Sequence, residues 1–181
     1  MSRFPPLKVI LFAACVAGLT GCLSIKPGAV KSGKNLYEMF AAKSGGTMYY
    51  IKPLEFVSIN KKGTLAMDFT FRHADVNKDT VSLKFSAFDA EVIKQMDSVQ
   101  ISNGAQTITF HNVEHMFSDW GHNEYINRFS IDAPLASVKS LFDAHPWKIT
   151  LFRDGKERHY NSVKKTDKNI PKLQKYVFAV L

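Results

Sequence analysis

The chain contains 181 residues, of which 24 are Lys or Arg and 16 are Asp or Glu, so its formal net charge is +8. Its length favours a single domain over a multidomain protein, and a domain of this size buries about 70% of the surface of the unfolded chain. The positive charge suits contact with an anionic surface such as phospholipid or lipopolysaccharide headgroups. Solubility alone is an alternative explanation for a charge of this size.

The first residues have the three parts of a secretory signal. Arg3 and Lys8 form a basic start, an apolar core follows from Val9, and small residues precede a cleavage point. The apolar core is shorter than the ~20 residues that a membrane-spanning helix needs. The segment ends in Leu19-Thr20-Gly21-Cys22. In this context, the tetrapeptide resembles the lipobox of bacterial lipoproteins.

The lipobox resemblance implies a lipid attachment site at Cys22. In that family the matching cysteine receives a diacylglycerol thioether, residues 1–21 are removed, and the new amino terminus takes a further fatty acid such as palmitate. Two or more acyl chains hold a protein stably on a bilayer, whereas one does so marginally. Leu23 and Ser24 follow in place of an aspartate, which resembles sorting to the outer membrane, with the domain facing the periplasm. The resemblance implies no cofactor besides the covalent lipid.

Cleavage before Cys22 would also decide the redox chemistry of the chain. Cys15 would leave with the signal, so the only remaining thiol would carry lipid, and neither an internal disulfide nor cysteine catalysis is expected. Loss of the signal would leave 22 basic residues against 16 acidic ones, a net charge of about +6. Nucleic acid is not an expected partner, because the protein would be exported.

The remaining chain is expected to form a tether and one domain. Residues 22–34 contain the lipidated cysteine and a stretch rich in Lys, Gly and Pro, which is typical of a flexible linker. Residues 35–181 are expected to form a single β-rich domain. At its start, a short helix from Ser32 or Asn35 through Ala42 is predicted by the helical spacing of Leu36, Met39 and Phe40.

Most later segments alternate apolar and polar residues, as a strand with one buried face does. The apolar positions of three such segments are Leu65, Met67, Phe69 and Phe71, then Val81, Leu83 and Phe85, and finally Trp147, Ile149 and Leu151. Alternation favours antiparallel strands over parallel ones. Three turns predict hairpins: a longer loop at residues 60–63, Asn103-Gly104, and Asp154-Gly155.

A helix is predicted for one further segment, and a last strand is favoured over a helix for another. Pro134–Ala144 has apolar residues at helical spacing and is predicted as a helix. Pro171–Leu181 is compatible with a helix, but the β-branched and aromatic residues of 176–180 favour a terminal strand. The expected fold is therefore mainly β, an antiparallel β-sandwich or open barrel with a few short peripheral helices.

One motif resembles a metallopeptidase signature. His111, Glu114 and His115 spell H-x-x-E-H, which in inverzincin peptidases lies on a helix, where two histidines ligate zinc and the glutamate activates water. The resemblance covers five residues only, and a third ligand is not identified. A looser cluster adds Asp119, His122 and Glu124. Since spacing alone does not show convergence, no metal site is assigned, and a polar loop or short helix is the alternative.

No nucleophile elbow, Gly-rich phosphate loop or paired-carboxylate motif is identified, so no catalytic residue is assigned. Phe117 and Trp120 stand in a polar stretch and are the candidates for an exposed recognition loop. A basic stretch near the carboxyl terminus suits anionic headgroups or a solvated face, and comprises Lys164, Lys165, Lys168, Lys172 and Lys175.

These observations favour a non-enzymatic envelope lipoprotein that binds a protein or an envelope polymer, and they leave catalysis open. The alternatives are a metal-dependent hydrolase centred on His111, Glu114 and His115, and a carrier of an apolar ligand inside the β core.

Overall fold

A computed structural model describes residues 36–41, 46–60, 63–73, 80–121 and 123–180. Strands dominate this part of the chain, with two α-helices and a final 3-10 turn. In chain order the elements are β1 (Tyr37–Ala41), β2 (Thr47–Ser58), β3 (Thr64–His73), β4 (Thr80–Asp89), β5 (Ser98–Ser102), β6 (Thr107–Phe110), β7 (Glu114–Gly121), β8 (Glu124–Pro134), α1 (Leu135–Leu141), β9 (Lys148–Arg153), β10 (Lys156–Ser162), α2 (Lys164–Tyr176) and the 3-10 turn Phe178–Val180.

All ten described strands belong to one antiparallel sheet. Its order is β6-β5-β9-β10-β2-β3-β4-β8-β7, with β1 beside β2. The sheet curls into a half-barrel. The predicted fold class is confirmed, and of its two forms the open barrel is the one observed.

Strand β2 is the longest and contacts two strands along the same edge. Its first half pairs with β1, from Thr47 to Ile51, and its last residues pair with β10. A register shift between Ile51 and Leu54 separates the two halves. A bulge of this kind bends a strand and increases its twist, which suits the curl of the sheet at this point.

The three predicted hairpins are confirmed. β5 pairs with β6 around Asn103-Gly104, β9 with β10 around Asp154-Gly155, and β2 with β3 around residues 60–63. Asp154 and Gly155 both have positive φ, 51° and 69°, as a two-residue hairpin turn matched to the strand twist requires.

The alternating apolar residues of the strands face a common core that the helices close. Trp147 lies at its centre, with ring centroids 4.8 Å from Phe142, 6.2 Å from Phe69 and 6.5 Å from Phe56. Its indole N–H donates to the carbonyl of Ala144 at 3.0 Å. The buried indole therefore contributes apolar burial without an unsatisfied donor.

The predicted helix at Pro134–Ala144 is confirmed as α1, which is shorter. The predicted terminal strand is wrong: α2 extends to Tyr176, and a 3-10 turn follows. The helix begins at Lys164, seven residues before Pro171. It is stabilised by one buried face, because Thr166, Ile170 and Leu173 recur at helical spacing. Phe178 is buried, with its ring centroid 4.3 Å from that of Phe142.

The predicted first helix is also wrong, since residues 37–41 form strand β1. Tyr37 and Met39 are half-buried against the core, while Glu38 and Phe40 lie on the other face. Lys52 on β2 donates its backbone N–H to the carbonyl of Leu36 at 2.9 Å. Pairing with β2 satisfies the backbone of a segment too short to be stable as a helix.

Candidate functional site

Strand β7 carries three of the most exposed large apolar side chains in the described part of the protein. Met116 is 46% exposed, Phe117 49% and Trp120 57%. The other exposed large hydrophobic residues of the described ranges are scattered over different elements: Phe40, Ile59 and Val92. Three exposed apolar side chains on one strand make β7 the candidate interaction surface, whereas single exposed residues need no explanation.

β7 also lies at the edge of the sheet. Within the described ranges β7 pairs with β8 alone, so its other edge presents backbone N–H and C=O groups to whatever lies beside it. Natural edges are usually short or protected by lysine, proline or bulges. β7 has eight residues with neither lysine nor proline, and its register shifts once, at Met116. The opposite edge strand, β6, has only four residues.

The two candidate recognition residues lie on opposite faces of this edge. The structure places both on strand β7 and not in a loop, because each pairs in register with β8. Phe117 is paired with Arg128 and Trp120 with Tyr125. Residues an odd number of positions apart along β8 point to opposite faces of the sheet. The Trp120 ring meets Tyr125 edge to face, with centroids 4.8 Å apart.

A chain of hydrogen bonds connects the exposed strand to the buried interior. The Ser118 hydroxyl donates to Oδ1 of Asn127 at 2.8 Å, and Nε2 of His115 lies 3.0 Å from the same hydroxyl. Asn127 is fully buried. Its Oδ1 also accepts the N–H of Ile93 at 2.8 Å, and its Nδ2 donates to the carbonyl of Glu91 at 3.0 Å. Asn127 thus fixes both β7 and the segment after β4.

An ion pair lies on the face of the sheet that carries Phe117, opposite to the face that carries Asn127. Arg128 binds the carboxylate of Asp68 and donates to the hydroxyl of Ser86 at 3.1 Å. The side chain of Asp68 is 2% exposed and that of Arg128 is 18% exposed. Burial raises the pKa of nearby Tyr50, the negative charge of Asp68 raises it further, and the positive charge of Arg128 lowers it in part. The pair is thus a structural contact close to the candidate site, with a buried carboxylate and a guanidinium that is partly exposed.

The charge of β7 differs from that of the whole chain. Glu114 and Asp119 are its acidic residues, and it contains no lysine or arginine. The full chain carries +8. The Asp119 carboxylate accepts the backbone N–H of Trp120 at 2.8 Å. The exposed edge is therefore both apolar and acidic.

The H-x-x-E-H segment does not form the helix that its zinc chemistry needs. His111 precedes β7, while Glu114 and His115 occupy successive positions of the strand and so face opposite sides of the sheet. The His115 ring packs edge to face against Phe129, with centroids 5.5 Å apart. No group of three or more His, Cys, Asp or Glu side chains that could hold a metal is found among the described residues. His122 lies outside them.

A second polar cluster on the sheet was not predicted. Nδ1 of His159 lies 3.0 Å from the Thr150 hydroxyl, and its Nε2 lies 3.3 Å from the Glu157 carboxylate. The order hydroxyl, imidazole and carboxylate resembles that of a nucleophile with its base. Thr150 is however 95% buried, so its hydroxyl is not open to a substrate. The cluster is a cross-strand contact of the β9–β10 hairpin.

The remaining predicted residues are either outside the described part or exposed on α2. Cys22 and the tether at 22–34 lie outside the described residues. Neither described helix has the length and apolar character needed to cross a membrane. Comparison with protein-family models, with curated proteins and with solved structures finds no match to this chain.

Proposed function

We propose that the protein is an envelope lipoprotein, anchored to a membrane by an acylated Cys22, whose domain binds an envelope partner without catalysing a reaction. The lipobox residues Leu19-Thr20-Gly21-Cys22 support the anchor. The preferred location is the outer membrane, with the domain facing the periplasm, because Leu23 and Ser24 follow the cysteine.

The observation that carries the binding role is the exposed apolar edge of β7. An extended segment of another protein can add a strand to such an edge, so that main-chain hydrogen bonds provide affinity and side-chain contacts provide specificity. Phe117 and Trp120 offer apolar contacts on the two faces of the added strand. The buried bonds of Asn127 keep β7 in place before the partner arrives.

The chemistry of the edge favours a protein partner over a polymer. A polysaccharide lacks the regular N–H and C=O groups that pair with a strand, whereas a polypeptide supplies them. Glu114 and Asp119 favour basic residues in that polypeptide. The proposed partner segment is therefore extended, apolar at some positions and positively charged at others.

The binding role can be tested by placing lysine on the edge. Phe117→Lys combined with Trp120→Lys introduces two charges where an apolar segment would dock, as natural sequences protect their edges. The matched control is Phe40→Lys combined with Ile59→Lys, two exposed apolar residues on β1 and just after β2, which are separated from β7 by β3, β4 and β8. Envelopes solubilised in mild detergent are separated by native electrophoresis, and the wild-type protein should migrate in a complex.

We expect the β7 double variant to lose the complex and the control double variant to keep it. Two results would contradict the proposed binding role. One is monomeric migration of the wild-type protein even when the envelopes are mildly crosslinked before they are solubilised. The other is equal loss of the complex in both double variants.

The anchor is tested separately. Cys22→Ala should leave an uncleaved precursor and abolish incorporation of a fatty-acid probe, because the residue that accepts the diacylglycerol thioether is gone. Continued labelling of the Cys22→Ala protein would refute the anchor while leaving the β7 proposal intact.

A further inference from the structure

We infer that helix α2 presents a lysine face that binds the headgroups of anionic phospholipids. This inference concerns a surface distinct from β7 and does not depend on the proposed partner. α2 comprises 13 residues, and its five lysines are all exposed: Lys164, Lys165, Lys168, Lys172 and Lys175.

The five lysines occupy one side of α2. With 3.6 residues per turn, their positions fall within an arc of about 100° around the helix axis. The buried residues Thr166, Ile170 and Leu173 lie on the opposite side. Asp167, the helix's acidic residue, lies outside the arc and accepts a hydrogen bond from the Ser162 hydroxyl. The lysine face therefore contains positive charge without an acidic residue among it.

The orientation of this face is fixed at both ends of the helix. In the first turn, the Thr166 hydroxyl donates to the backbone carbonyl of Glu55 at 2.9 Å and accepts the N–H of the same residue at 2.9 Å. Near the other end, Nε2 of Gln174 donates to the Asp143 carboxylate at 2.7 Å. Because the helix is held at two points, its lysines form a surface of defined direction.

Few internal contacts neutralise this charge. Lys165 forms an ion pair with Glu55 at 3.0 Å, but both side chains are more than half exposed, so water screens the pair. Nζ of Lys175 lies 5.5 Å from the centre of the Tyr176 ring. Lys164, Lys168 and Lys172 form no ion pair with any acidic residue of the described ranges.

The lysines of α2 destabilise the helix by two electrostatic effects. Lys164, Lys168 and Lys172 follow one another at intervals of four residues, and like charges at this spacing repel. Lys164 and Lys165 also lie in the first turn, where the helix dipole disfavours positive charge. An anionic surface against the lysine face would relieve both effects.

The type of cation favours lipid headgroups as the anionic surface. An ammonium group is a hydrated point charge on a flexible stem, whereas arginine makes the planar, paired contacts of specific phosphate or carboxylate sites. α2 contains lysine and no arginine. Its exposed face lacks large apolar residues that could insert into a bilayer. Binding is thus electrostatic and peripheral, and it acts only within about 10 Å of the surface at ordinary salt.

The test uses the full-length protein with vesicles of phosphatidylcholine alone or mixed with phosphatidylglycerol. Protein and vesicles are mixed, and the rate of amine modification of each lysine is measured by mass spectrometry in the whole suspension. On anionic vesicles, Lys168 and Lys172 should react at least about threefold more slowly than on neutral vesicles, because the surface shields them. Lys94 and Lys156, which are exposed on other parts of the protein, should change little.

Salt and charge reversal provide the controls. The protection should disappear in about 0.5 M salt, which shortens the Debye length. The double variant Lys168→Glu, Lys172→Glu should lose the protection of Lys164 and Lys175, whereas Lys94→Glu, Lys156→Glu, with the same net charge, should keep it.

Three results would overturn the inference. They are equal modification rates on the two kinds of vesicle, equal protection of Lys94 and Lys156, and protection by soluble polyglutamate without protection by anionic vesicles. The last result would assign the lysine face to an acidic macromolecule. None of these results bears on the β7 complex, which is measured with other variants.

Discussion

The Ser118 hydroxyl on the exposed strand β7 donates a hydrogen bond of 2.8 Å to Oδ1 of Asn127, a fully buried residue of β8. This bond connects the surface that carries Phe117 and Trp120 to the interior. A hydrogen bond of this kind holds the edge strand itself in place beside β8. The loss of order on binding a partner is then smaller than for a flexible loop.

Replacement of Asn127 by alanine should destabilise the fold strongly. The change leaves the N–H of Ile93 and the carbonyl of Glu91 without their hydrogen-bond partners. Since each unsatisfied buried polar group costs about 1–3 kcal/mol, we expect the free energy of unfolding to fall by about 3 kcal/mol. Urea denaturation followed by circular dichroism measures this change.

Ser118→Ala is the matched control for Asn127→Ala, because it removes one hydroxyl and leaves the other bonds of Asn127 in place. Its effect should be near 1 kcal/mol. Equal effects of the two substitutions would show that Asn127 does not hold the segment after β4.

Replacing Arg128 by alanine should lower the free energy of unfolding more than replacing Asp68, its partner in the ion pair. Arg128→Ala leaves an unpaired carboxylate that is 2% exposed, whereas Asp68→Ala leaves a guanidinium that is 18% exposed and can reach water. Removing one partner of a buried pair costs about 3–5 kcal/mol. We expect Arg128→Ala to approach this range and Asp68→Ala to fall below it, as measured by urea denaturation.

The double variant Asp68→Ala, Arg128→Ala completes this comparison. It should be less destabilised than the sum of the single variants, because neither charge is then left unpaired. Additive losses of stability would mean that the two side chains act independently.

The free energy of unfolding should decrease at alkaline pH, and ionisation of Tyr160 should account for part of this decrease. Burial raises the pKa of its phenol above the ordinary value, although the neighbouring Arg158 lowers it in part. The unfolded state therefore loses the proton first. The contribution of Tyr160 is fully present below pH about 10 and is lost as the pH rises from there through the folded-state pKa.

The measurement for Tyr160 is urea denaturation between pH 8 and about 11. Tyr160→Phe should show a smaller loss of stability over this interval than the wild-type protein, while other titrating groups contribute equally to both. Parallel curves for the two proteins would contradict the assignment.

The strand pattern and the hairpins could be predicted because they depend on neighbouring residues. Alternation along residues 65–71 reports directly which side chains face the core, and Asp154-Gly155 tolerates the positive φ of its turn. The same two-residue turn fixes the register that places Thr150 opposite His159. That contact could have been found from the sequence by continuing the pairing away from the turn.

Features that depend on distant residues could not be predicted in this way. Asp68 occupies a position that alternation assigns to the wet face, yet it is buried, because Arg128, 60 positions away, pairs with it. Residues 37–41 form a strand only because β2 pairs with them. Phe117 and Trp120 were identified as exposed, but their place on an edge strand depends on pairing with β8.

Lysine at Phe117 and Trp120 should leave the stability of the isolated protein almost unchanged. Both side chains are about half exposed, and surface substitutions usually change the free energy of unfolding by no more than about 0.5 kcal/mol. Thermal denaturation of the double variant tests this. A large loss of stability would show that the two aromatic residues support the fold, and loss of the complex could not then be attributed to binding.

The most direct test of strand pairing on β7 is a photocrosslinking scan in intact cells. A photoreactive amino acid is placed singly at Met116, Phe117 and Trp120, and at Phe40 and Ile59 as exposed apolar controls. We expect the β7 positions to crosslink to successive residues of one extended segment in a single partner, identified by mass spectrometry. Crosslinks that do not exceed those of the controls, or that reach unrelated segments of several proteins, would contradict strand pairing at β7.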